Sequence, residues 1–100
     1  MNELIKIAAV EPLGGYWLRI RFSAGAVKDV DLGEFLARGG VLAAIHEDRS
    51  LFEQVRVNPE THTIEWPGEV DLDPDVLYGR FEPSSAVRIT RRVVREPAAA

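Results

Sequence analysis

Alternation of apolar and polar positions is clearest near the start of the chain. In Tyr16-Trp17-Leu18-Arg19-Ile20-Arg21-Phe22, Leu18, Ile20 and Phe22 point one way and Trp17, Arg19 and Arg21 the other. That two-residue period predicts a half-buried strand. Leu4 to Val10, rich in Ile, Val and Ala, predicts a strand before it. Glu11-Pro12-Leu13-Gly14-Gly15 separates the two, because Pro removes a backbone donor and Gly tolerates positive φ. Ser23-Ala24-Gly25 is a second turn, and Val27 to Leu32 a third strand with Lys28, Val30 and Leu32 on one face. Three strands with short links predict an antiparallel meander.

The helical signals that follow are short. Gly33 to Arg38 suggests one or two turns, ended by Gly39-Gly40, and Val41 to Ile45 fits strand or helix equally. Asp48 is placed to cap a helix through Ser50-Leu51-Phe52-Glu53-Gln54. Val55 to Asn58 and Thr63 to Trp66 predict a second hairpin around the turn Pro59-Glu60-Thr61-His62, and Pro67-Gly68 stops its last strand. Asp73, Pro74 and Asp75 then form a helix start: a capping side chain, a first-position proline with no N–H to lose, and a first-turn carboxylate. Val76, Leu77 and Phe81 would pack that helix on the sheet, and Pro83-Ser84-Ser85 reads as a domain edge. The expected fold is α+β: a mainly antiparallel sheet of about five strands with short helices on one side. It forms a single small domain over residues 1–83, followed by a basic C-terminal tail, 84–100.

Composition sharpens this. At 46% hydrophobic and 28% charged, the chain can fold around one modest core. The absence of cysteine excludes a disulfide framework and thiolate metal sites. The first residues lack a signal-peptide pattern, and no apolar run approaches the roughly 20 residues that span a bilayer. A cytoplasmic protein with no membrane partner is expected. Charge is uneven. Residues 1–83 carry eight Lys/Arg against fifteen Asp/Glu, net −7, whereas residues 84–100 carry four Arg against one Glu, net +3.

Val30-Asp31-Leu32, Phe52 to Val57, Ile64-Glu65-Trp66-Pro67-Gly68 and Val70-Asp71-Leu72-Asp73-Pro74-Asp75-Val76-Leu77-Tyr78 together resemble the bacterial domain-of-unknown-function family 2442. The resemblance covers about residues 4–81, within the size range of one domain. It implies a small α+β domain with no established enzymatic activity. It also implies gene neighbourhoods similar to toxin–antitoxin pairs, and in some members an added helix-turn-helix domain for which this chain is too short. The arginine-rich tail lies outside the family pattern.

Candidate chemistry is sparse. Asp71, Asp73, Asp75 and Glu82 match part of a calcium-loop spacing, but Val76 stands where that loop needs glycine, and helix capping explains the same aspartates better. His46 and His62 lack a metal-ligand spacing and read as exposed turn residues. No serine has a nucleophile-elbow context, and no glycine-rich loop cradles phosphate. Neither a cofactor nor catalysis is expected.

Three surfaces remain. Trp17, Arg19 and Arg21 form either a cross-strand platform, with arginine stems on the indole, or a protein-binding hot spot. Trp66 and Tyr78 either anchor the aspartate–proline turn or line a partner groove with Asp71 and Asp75. Arg88, Arg91, Arg92 and Arg95 fall on one face if the tail is helical, a stripe suited to nucleic acid. The other reading of the tail is an extra edge strand, or a loose segment on the acidic body. The expected function is a non-enzymatic protein-interaction module, in its most concrete form an antitoxin-like partner of a small basic protein. Nucleic-acid binding through the tail is the alternative, and a homo-oligomer is also open.

Overall fold

The computed structural model describes residues 5–68, 70–79 and 89–96, without the Asp75 side chain. The expected meander is present. Strands β1 (Ile7–Pro12), β2 (Trp17–Phe22) and β3 (Val27–Asp31) pair antiparallel in sequence order. Pro12 does not end β1 early: it closes the strand, at the edge of the sheet, where a missing N–H disrupts no ladder.

Two further strands correct the expectation of one sheet of about five. Strand β4 (Arg56–Val57) and β5 (Ile64–Trp66) form the second hairpin, and β6 (Val70–Leu72) then pairs with β5. Pro67-Gly68 ends β5 as expected and also reverses the chain, with Gly68 at φ 93° supplying a turn conformation that L side chains resist. Strand β7 (Thr90–Arg95) pairs antiparallel with β3. The result is a four-stranded sheet, β1-β2-β3-β7, and a separate three-stranded sheet, β4-β5-β6. The α+β class holds. The helical reading of the tail does not: Val and Thr favour the pleat, and the edge of β3 offers a backbone ladder that an isolated helix lacks.

Among the described residues there are four short α-helices, α1 (Gly33–Leu36), α2 (Ala43–Glu47), α3 (Arg49–Phe52) and α4 (Pro74–Tyr78), with a 3-10 turn at Gly40–Leu42. Among the described residues no helix is long and apolar enough to cross a membrane. Asp48 caps α3 as expected, accepting from the N–H groups of Ser50 at 3.0 Å and Leu51 at 3.3 Å. Asp48→Ala is expected to cost about 1 kcal/mol, read as a lower urea midpoint. Helix α4 starts at Pro74, and the Asp73 carbonyl accepts from Val76 N at 3.1 Å and Leu77 N at 3.2 Å. Leu77 is buried as expected, whereas Phe81 lies outside the described residues.

The core lies between the inner face of the large sheet and the helices. Leu18, Ile20 and Phe22 meet Leu36, Phe52 and Leu77 there. The two sheets join through backbone: Ile7 N donates to His62 O at 3.0 Å. His62 holds φ 60° at that junction, closing a turn in which Asn58 Oδ1 accepts from Glu60 N at 2.8 Å.

Candidate functional site

The alternation of β2 sends Leu18 and Ile20 into the core, each fully buried, and leaves Trp17, Arg19 and Arg21 on the outer face. Register then builds a row across three strands. Arg19 stands opposite Asp29, and Asp29 opposite Arg92. Arg19 grips the carboxylate at both oxygens, Nε to Oδ1 at 2.8 Å and Nη2 to Oδ2 at 3.1 Å. Arg92 Nη2 donates to Oδ2 at 2.6 Å, and its guanidinium lies 4.8 Å from the centre of the Trp17 ring. Asp29 is thereby 0% exposed, while its two arginine side chains remain 39% and 62% exposed.

The electrostatics follow from this geometry. The Arg19 hydrogen bond holds Asp29 at about 2, with Arg92 adding to it and burial opposing it. Arg19 is raised in turn, chiefly by the Asp29 hydrogen bond. A carboxylate with three donors and so low an affinity for protons is a poor general base at neutral pH. It instead fixes two forked donors beside an indole, the donor type that recognises carboxylate and phosphate groups. Beside this row, Arg21 and Arg95 bracket Val27 in register. Among the described residues no side chain or carbonyl bonds either of them. Among the described residues the outer face thus carries four arginines against three carboxylates, Asp29, Glu11 opposite Arg19 and Asp31 opposite Trp17, a small cationic excess on a chain of net charge −4.

The four arginines of the tail do not share a face. Arg91 turns inward and donates to Val76 O at 2.7 Å and Leu77 O at 3.2 Å, at the C-terminal end of α4. Lys28 joins it, with Nζ 2.7 Å from Tyr78 O and 3.7 Å from the centre of the Tyr78 ring. Cations suit that end of a helix, whose last carbonyls lack intrahelical partners. Burial, and then Arg91, lowers the Lys28 pKa. Arg91 is thus a cap, Arg92 and Arg95 belong to the outer face, and Arg88 lies outside the described residues.

Of the two readings of Trp66 and Tyr78, the described residues favour the anchor over a groove shared with Asp71. Trp66 is 2% exposed, and its Nε1 donates to Phe52 O at 2.9 Å, so it anchors the core. Tyr78 packs edge-on against Phe22, 5.0 Å between ring centres, under the large sheet. Asp71 is exposed on β6, beside the shallow groove of Val41, Leu42 and Val70. The Asp75 side chain is outside the description. His46 is no turn residue: it lies in α2 and stacks on Tyr16 at 4.8 Å.

Sequence reasoning missed Asp29, the residue on which the outer face turns. Its one signal was position, one of two carboxylates on β3 opposite in sign to the arginines of the neighbouring strand. Only register decides whether such charges meet.

The family model for Protein of unknown function (DUF2442) matches residues 7–83. The chain belongs to this family. Asp29 thus lies inside the DUF2442 segment, while Arg91 and Arg92, which complete the helix end and the carboxylate, lie beyond it. No curated protein matches the chain. Among solved structures it is similar to the crystal structure of a "Putative DNA Binding Protein" from Nitrosomonas europaea, at 35% identity and a TM-score of 0.67. The match covers 78% of this chain and 50% of the other, so this DUF2442 chain corresponds to half of that protein.

Proposed function

We propose that this DUF2442 chain is a non-enzymatic docking module that receives an acidic protein on the outer face of its four-stranded sheet. The observation that carries this reading is the row Arg19–Asp29–Arg92 against Trp17. A buried carboxylate holds both guanidinium groups in place, so they lose little freedom on binding. Trp and Arg are the side chains that dominate protein interfaces, and here they sit together on one half-exposed sheet face. Arg21 and Arg95 add positive charge to the same face, which favours a partner rich in carboxylates.

Nucleic acid is the second reading. Its support is the name of the Nitrosomonas europaea protein and the same cations, since phosphate and carboxylate attract one donor set. Against it stands the indole, whose ring is already covered by Arg92 and so is a poor platform for a base. An antitoxin-like pairing with a small basic protein would use the acidic remainder of the body instead.

A pull-down from the native host with wild type and with the double variant Trp17→Ala/Arg21→Glu tests these readings. An acidic partner recovered in stoichiometric amount by wild type, and at least about tenfold less by the variant, is the expected result. Equal recovery by both, or a basic partner indifferent to the variant, would move the interface off this face. Oligonucleotide binding that weakens steeply between low and physiological salt would favour the second reading.

A further inference from the structure

We propose that the free edge of β7 takes an extended acidic segment of the partner protein as a fifth strand of the large sheet. The inference rests on the docking reading above for the sign of the partner's charge, and on β7 itself for the mode of attachment.

Among the described residues β7 is the last strand of its sheet, paired with β3 on one side only. An edge strand carries a row of backbone donors and acceptors able to pair with another chain. Such edges are usually blunted, and β7 carries two of the common devices. One is charge: three of its six residues are arginine. The other is a bulge, because Val27 pairs with Arg95 and Lys28 with Val93, which leaves Val94 unpaired.

These devices discriminate between partners. A second copy of β7 laid antiparallel would set arginines among arginines, which is unfavourable across a strand pair. An acidic strand meets the reverse situation. Pairing across β3 puts Arg92 and Arg95 on the outer face, beside Arg21. Carboxylates at alternate positions of an added strand would face that row. Among the described residues Val93 and Val94, 53% and 48% exposed, are two of the three large apolar side chains left most open to water. The intervening apolar positions of an added strand would cover them. The ligand class is therefore an extended segment alternating Asp or Glu with branched apolar residues. A phosphodiester backbone would use the guanidinium groups but leave both the valines and the peptide edge unpaired.

The test uses the full isotopically labelled chain and three synthetic probes. One is a short peptide alternating glutamate with valine. The second has lysine for every glutamate. The third is the acidic peptide N-methylated at alternate backbone nitrogens, in both phases. Expected are amide shifts concentrated at residues 90–95 with the acidic peptide alone, and affinity at least about tenfold lower for Arg95→Glu. Arg95→Gln serves as the milder substitution of the same exposed residue. Binding by the lysine peptide equal to that of the acidic one overturns the inference. Equal binding by the N-methylated peptides overturns strand addition while leaving the docking face intact. Shifts confined to residues 17–21, or absent with a partner still lost in Trp17→Ala/Arg21→Glu, do the same.

Discussion

Asp29→Asn is expected to lower the unfolding free energy by about 2 kcal/mol at pH 7, measured by urea denaturation. The size follows from the carboxyl group, held at about 2 in the folded chain against an ordinary value of 3.8. Each unit of such a shift corresponds to about 1.4 kcal/mol. Removing one partner of a buried ion pair can cost about 3–5 kcal/mol. The smaller figure applies here because both arginines stay partly in water, at 39% and 62% exposure, and are rehydrated when the carboxylate goes. Asn also keeps one acceptor for them.

The pH dependence has a definite sign. A carboxyl group whose folded pKa is depressed contributes stability above its unfolded pKa and loses it as pH falls through the folded value. Wild type should therefore hold this contribution from neutral pH down to about 4, and surrender it between about 4 and about 2. Asn does not titrate. The gap between the two proteins should be constant at neutral pH and close across that acidic window. A gap that persists at pH 2 would mean that packing, not charge, sets the cost. Docking should respond as well, because the variant frees the guanidinium groups of Arg19 and Arg92 from their common acceptor.

What could be read from the sequence was local. The alternation of β2 places every one of its faces correctly, since one strand against one core needs no knowledge of neighbours. The cap at Asp48 and the helix start at Pro74 are legible for the same reason: donor, acceptor and turn lie within a few residues. Apart from His46, read as a turn residue but in α2, the failures are nonlocal. Pro67-Gly68 looks alike as a stop and as a reversal, and three residues of β6 are too few to announce a strand. The arginine spacing of the tail fits one helical face by arithmetic, yet the unpaired edge of β3 decides its conformation. Once it is a strand, adjacent residues point apart, and Arg91 and Arg92 acquire opposite tasks. The outer face was legible in its β2 half, Trp17, Arg19 and Arg21. Its organising carboxylate was not, because Asp29 meets Arg19 and Arg92 only through strand register.

Trp66→Ala should be the most damaging substitution, costing about 3–5 kcal/mol. A domain of this size is stable by about 5–15 kcal/mol, so the variant is expected near or past its unfolding threshold at 25 °C. The indole is 2% exposed and its ring centre lies 6.2 Å from that of Phe52, at the meeting of the small sheet with α3. Alanine leaves a void there and removes one of the two donors to the Phe52 carbonyl, which keeps Val55 N at 3.3 Å. Trp66→Phe separates these effects: it fills much of the space and removes only the bond from Nε1 to Phe52 O. It is expected to cost about 0.5–1.5 kcal/mol, the net range for one lost hydrogen bond, since Phe52 O still accepts from Val55 N. The two tryptophans then divide stability from recognition. Trp66→Phe should melt earlier yet recover the partner normally, whereas Trp17→Ala should melt close to wild type and lose it. A folded Trp66→Phe protein that fails to recover the partner would return the interface to the small sheet.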